Sequence, residues 1–159
     1  MTRFMINTTA AFTLAASTAL AATPVKEIDV EVDLAAIENI QAAQVWTEIG
    51  GDLETAIAER IVNQLDDSGA RVLIDIDEVQ LANSFQQAIG ASEAVLVGDV
   101  NIKVPGIANN ENYTLSVQAE QAKAYFPDGT VMSDLTMSSD AYYTAMVNAF
   151  ADNVVEKLK

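Results

Sequence analysis

Residues 27–34, EIDVEVDL, alternate carboxylate and hydrocarbon without a miss. Residues 72–79, VLIDIDEV, nearly repeat the pattern. A period of two marks a strand with one dry and one wet face. Ile28, Val30 and Val32 then turn toward a core, as do Val72, Ile74 and Ile76. Asp29, Glu31, Asp33, Asp75 and Asp77 turn toward water. A sheet with one solvated face is the habit of antiparallel pairing, so the two stretches predict an antiparallel sheet.

Working outward, residues 38–65 read as helix. Leu53, Ile57, Ile61 and Leu65 recur at every fourth position and form one apolar stripe. Gly50-Gly51 is the weak point of that helix, and Asp52 is placed to recap it. Trp46, among Val45, Ile49 and Leu53, reads as core. DDSG at 66–69 stops the helix, with Gly69 as the expected left-handed residue. In the second strand the apolar parity runs Val72, Ile74, Ile76 and then slips to Val79 and Leu81, which predicts a bulge near Asp77-Glu78.

Residues 83–93, NSFQQAIGASE, read as a loop or short helical turn, with Phe85 and Ile89 as candidate apolar contact residues. A third strand carries Leu96, Gly98, Val100, Ile102 and Val104 on one face. The fourth is expected to be long, over 112–126, with Tyr113, Leu115, Val117 and Ala119 inward. PDG at 127–129 signals a type I hairpin turn closed by a left-handed Gly129, with TVMSDLTM as the return strand. Ser138, Ser139 and Asp140 cap a last helix whose stripe is Tyr143, Val147, Phe150, Val154 and Leu158, with Met146 beside it and Tyr142 at a rim. The expected architecture is an α+β two-layer sandwich: an antiparallel sheet of four to five strands with two helices on one face, in the order β-α-β-β-β-β-α.

The chain has 159 residues, with 23 acids against 8 bases and a formal charge of −15. Cys and His are both absent, which removes disulfides, thiol nucleophiles, His-based triads and the usual zinc ligand sets. So negative a surface repels phosphate backbones and anionic lipid, so nucleic acid and membrane surfaces are poor partners. It keeps the protein soluble and attracts cations or basic proteins.

The first residues, MTRFMINTTAAFTLAASTALAATP, read as an export signal: a positive Arg3, a small apolar stretch, and Ala19-Leu20-Ala21 as the small-x-small pattern for cleavage after Ala21. Cleavage after Ala22 would serve almost as well. The stretch is too short and too interrupted by Asn7, Thr8 and Thr9 for a membrane span. The expected destination is the periplasm or the medium, with residues 1–21 removed and one domain over 25–159.

The acidic ladder admits three physical meanings. It is a solvated face, a surface for a basic partner, or a site for a divalent cation. Asp29, Glu31, Asp33, Asp75 and Asp77 are the candidate residues for the last two. Calcium needs six to eight oxygens, and alternating strand carboxylates are stiff and widely spaced for that. No EF-hand-type loop is present. No Ser-x-x-Lys, G-x-S-x-G or phosphate-cradling glycine loop occurs either, so no catalytic residue and no cofactor are expected. A hydrolase working through two carboxylates is a residual alternative.

The stretch ARVLIDIDEVQL … GDVNIKVPG … NYTLSVQAEQAKAYFPDG … AYYTAMVNAFADNVVEKL resembles an uncharacterised family of secreted bacterial proteins over residues 70–158. By element order the chain also resembles Gram-negative envelope-accessory lipoproteins, namely the lipopolysaccharide-assembly and transport-auxiliary lipoproteins. That resemblance implies two helices on a short antiparallel sheet and an envelope protein as partner. The chain lacks the lipid-bearing Cys of those proteins. The expected function is therefore a non-enzymatic interaction or accessory module of the periplasm or medium; the alternative is a divalent-cation-binding protein.

Overall fold

The computed structural model describes residues 22–33, 46–80, 95–106, 110–131 and 140–159. Within them lie four strands, β1 (Val25–Val32), β2 (Ala70–Gln80), β3 (Val95–Lys103) and β4 (Glu111–Gln118). The helices are α1 (Ile49–Arg60), a short α2 (Ala119–Ala122) and α3 (Asp140–Glu156), with 3-10 turns at Val62–Gln64 and Lys123–Tyr125. The sheet order is β1-β2-β3-β4.

The protein is α+β with one solvated sheet face, but the sheet is mixed rather than antiparallel. β1 runs parallel to β2, and the other two pairs are antiparallel. The reason lies in the connection. Residues 33–69 include α1, and a parallel pair needs a long crossover of that kind. Alternation alone does not distinguish the two pairings, because a parallel strand at the sheet edge also has a wet face.

Parity sets the faces as expected. Val72, Ile74, Ile76, Leu96, Val100, Ile102 and Val117 are buried, with Ile28, Val30, Val32, Tyr113 and Leu115 packed against them. The bulge also falls where the parity slips. Ile76 pairs with Gly98 and Glu78 with Val97, leaving Asp77 as the extra residue.

α1 is shorter than the expected 38–65. It starts at Ile49, so Gly50-Gly51 lie in its first turn rather than interrupting it, and Asp52 is not its cap. Residues 34–45 lie outside the described residues. Trp46 is core, 1% exposed, with its ring edge-on to Tyr143 at 5.3 Å. Gly50 lets α1 close on β1: a Cβ there would stand 3.2 Å from the Val30 carbonyl oxygen. Glu54, one turn on, accepts the Val30 N–H at 3.1 Å.

Gly69 is not left-handed; among the described residues only Gly106 and Gly129 have positive φ. It serves close approach instead. A Cβ at Gly69 would sit 2.6 Å from the Pro24 carbonyl and the Val25 nitrogen. Gly98 likewise lets Phe150 of α3 reach the sheet: a Cβ there would meet the Asp75 carbonyl at 2.9 Å and the Phe150 ring at 3.3 Å.

β4 ends at Gln118, well short of 126. Gln118 and Gln121 form a reciprocal capping box that turns the alanine-rich AEQAKA stretch into helix. PDG then makes a turn, with Thr130 N–H donating to the Pro127 carbonyl at 3.1 Å. Gly129, at φ +84°, holds the third position, as a type II turn demands, so the turn is not the expected type I. It follows a 3-10 turn rather than a strand. The proposed return strand has Thr130 and Val131 outside any strand, and the rest of it, like Ser138 and Ser139, lies outside the described residues.

α3 buries more than one stripe: Tyr142, Ala145, Met146, Val147, Ala149, Phe150, Ala151, Val154 and Val155 all leave solvent. The two tyrosines exchange their expected roles. Tyr142 is buried, and Tyr143 is half-buried with its hydroxyl donating to Asp52 Oδ2 at 2.5 Å. Among the described residues no helix is long and apolar enough to cross a membrane.

Candidate interaction face

With α1 and α3 against the dry side of the sheet, outward side chains of the four strands line up in rows. The row at the N-terminal end of β1 is Glu27, Arg71 and Lys103. Arg71 grips Glu27 with two nitrogens, Nε to Oε2 at 2.6 Å and Nη2 to Oε1 at 3.3 Å. That hydrogen-bonded pair holds the Glu27 carboxyl below its usual range.

The next row is Asp29, Leu73, Asn101 and Asn112. The third is Glu31, Asp75, Asp99 and Thr114, in register across all four strands. Three carboxylates therefore stand on three adjacent strands. Like charges directly opposite cost a few tenths to about 1 kcal/mol per pair, reduced by salt on an open face. Thr114 relieves one of them by donating its hydroxyl to Asp99 Oδ1 at 2.6 Å. Asp77, on the bulge, adds a fourth. Partial burial, together with the charges of Asp99 and Asp75, raises its pKa above the ordinary aspartate value.

Between these rows is a concavity of about 290 Å³, with Leu73 and Ile74 in its lining and Asp29, Glu31, Asp75, Asp99 and Asn101 around it. The structure thus brings together Asp29, Glu31, Asp75 and Asp77, and puts Asp33 just past the end of β1. Asp99, Asn101 and Thr114 are additions. Asp99 and Asn101 carried a signal, because they alternate with inward Gly98, Val100 and Ile102 on β3. Phe85 and Ile89 lie outside the described residues. No group of three or more Asp or Glu among the described residues converges closely enough to hold a metal ion.

A second concavity, of about 480 Å³, opens on the helical side between Arg60, Tyr125, Asp152 and Lys159. Arg60, Tyr125 and Asp152 in its lining are occupied with one another. Arg60 pairs with Asp152 through Nε and donates to the Ala56 carbonyl and to Asn148 Oδ1, each at 2.7 Å. Tyr125 donates to the other Asp152 oxygen at 2.7 Å. Burial pushes Asp152 upward, but Tyr125 and Arg60 outweigh it and leave the carboxyl below its ordinary value. Burial, reinforced by this acceptor, pushes the Tyr125 hydroxyl up to about 12. The arrangement ties α1, α3 and the 3-10 turn together.

No family model matches the chain, and no curated protein matches it. Among solved structures it is similar to the crystal structure of an uncharacterized protein, at 9% identity and a TM-score of 0.39, over 85% of this chain and 86% of that one. A likeness of that degree bears on neither site nor activity.

Proposed function

We propose that this protein is an exported, non-enzymatic interaction module that offers the open face of its sheet to a basic partner protein. The observation that carries the reading is the in-register row Glu31–Asp75–Asp99 beside the partly apolar lining of Leu73 and Ile74. Cationic side chains docking there would remove the repulsion across the row while burying hydrocarbon. The N-terminal signal pattern supports a periplasmic or extracellular setting, in which an envelope protein is the partner within reach.

The test is titration with a defined cationic peptide, decalysine, followed by amide chemical shifts. Shifts should concentrate on β1, β2 and β3 and weaken steeply with salt. A Glu31→Gln/Asp75→Asn/Asp99→Asn variant should lose most of the binding. A Glu59→Gln/Glu120→Gln/Asp128→Asn variant of equal charge should keep it. Equal loss in both would reduce the effect to net charge and end the proposal. Calcium in place of the peptide tests the cation reading: a melting shift beyond that of sodium chloride at equal ionic strength would favour it.

A further inference from the structure

We infer that β4 is a self-pairing border: two copies of the chain join antiparallel along Asn112–Gln118, about a two-fold axis at Leu115, and their four-stranded sheets become one. This surface is separate from the acidic face and does not depend on the reading given to it. The two borders of the sheet are built differently. β1 carries Lys26, Glu27, Asp29 and Glu31, and its register with β2 breaks between Val25 and Glu27. Charges and irregularities of that kind keep an edge strand from templating another.

β4 has neither. From Asn112 to Ala119 no residue is charged, in a chain with 23 acids. Its register with β3 is unbroken from Glu111 to Gln118. Tyr113, Thr114, Leu115 and Val117 favour the strand, and no Gly or Pro interrupts it. Asn112, Thr114, Ser116 and Gln118 are exposed. On the side away from β3, such a strand presents a row of backbone N–H and C=O groups. Among the described residues, no strand and no backbone hydrogen bond meets Glu111–Val117 on that side.

A net charge of −15 makes most of this surface repel its own kind. The uncharged border is where two copies can approach, and it complements itself. Side chains opposite one another must share a face of the sheet. With Leu115 on the axis, Tyr113 meets Val117 of the other copy, Thr114 meets Ser116, and Asn112 meets Gln118. Each contact occurs twice, apolar against apolar and polar against polar. The register uses the whole uncharged stretch and sets Glu111 against Ala119, where the strand has already turned into α2, rather than against another acid. Tyr113 and Leu115 are only partly covered by their own body, so the junction also buries hydrocarbon on the helical side.

The full chain is sedimented from micromolar to millimolar concentration. Its mass should double, and at lower concentration in about 0.5 M salt than in about 0.02 M, because salt screens the repulsion between copies. The chain has no cysteine, so an introduced pair reports the register. Thr114→Cys and Ser116→Cys chains, mixed and oxidised with copper phenanthroline, should form a bridge between positions 114 and 116 about tenfold faster than Thr114→Cys mixed with Val62→Cys, since only the first pair is held within disulfide reach. Equal rates in the two mixtures, or a doubled mass with no such bridge, would overturn the inference by placing the contact elsewhere. A parent chain that stays monomeric would overturn it as well. Slow amide exchange all along β4 of that monomer would assign the border to another segment of the same chain, and fast exchange at every second amide would leave it to a strand of a different protein.

Discussion

Gly69→Ala separates a steric requirement from a conformational one. Gly69 does not have positive φ, so alanine meets no backbone penalty there. What it meets is the Pro24–Val25 peptide at 2.6 Å, about 0.8 Å inside the 3.4 Å at which ordinary contact begins. Relief requires the strand entry to move. The first bond in its path joins Ala70 N–H to the Pro24 carbonyl. Overpacking of this kind costs about 1–3 kcal/mol, and a lost backbone hydrogen bond about 0.5–1.5 kcal/mol. Reduced freedom of the unfolded chain returns about 0.4–1 kcal/mol. The expected net loss is roughly 0.5–4 kcal/mol. Gly51→Ala is the matched control: nothing lies within 4 Å of its Cβ position and it sits in the first turn of α1, so a gain of about 0.4–1 kcal/mol is expected. Urea unfolding followed by the single tryptophan, the buried Trp46, measures both. Hydrogen exchange at Ala70 N–H should accelerate in Gly69→Ala alone. If that variant unfolds within about 0.5 kcal/mol of the parent, the packed strand entry is wrong.

Asp75→Asn removes the middle charge of the Glu31–Asp75–Asp99 row and should raise stability by a few tenths to about 1 kcal/mol at low salt. The gain should vanish in 1 M salt, and a gain that persists would point to packing instead. Phe150→Ala empties a fully buried ring site opposite Gly98 and should cost about 3–5 kcal/mol in urea unfolding, whereas Val62→Ala, at a position 61% exposed, should change stability by less than about 0.5 kcal/mol. Glu27, Asp66 and Asp152, whose carboxyls sit below their ordinary values, contribute to the acid limb. Their contribution is present above the unfolded-state pKa and is lost as pH falls through the lowered folded-state values. Asp77 acts in the opposite sense: its raised pKa favours the folded state as the carboxyl protonates. Melting temperature against pH should therefore fall less steeply on the acid side in Asp152→Asn, and more steeply in Asp77→Asn.

The faces of the sheet were legible because side-chain parity is a local property. Ile28, Ile74, Val100 and Val117 each announce their side within a few residues, and the slip from Ile76 to Val79 locates the bulge. Strand direction was not legible, since EIDVEVDL pairs equally well either way and only the path of residues 33–69 decides it. The overlong fourth strand has a similar cause. Alanines and glutamines after Gln118 alternate acceptably as strand, yet the Gln118–Gln121 capping pair favours helix. Gly69 misled because a glycine after a helix usually marks a left-handed residue, whereas its neighbour here comes from the distant Pro24. Of the acidic face, the carboxylates on β1 and β2 were visible from the two ladders. Asp99 required knowing that β3 lies next to β2, which no single segment states.

β1 is the outermost strand on its side of the sheet, and such a strand ordinarily offers a template on which another chain grows. Here the Glu54 carboxylate holds the Val30 N–H and α1 lies close over the Val30 carbonyl at Gly50. A foreign strand arriving there would have to displace a helix, and would bring its own backbone against Glu27, Asp29 and Glu31 besides. The middle of that border is thereby blunted as a template for fibril growth.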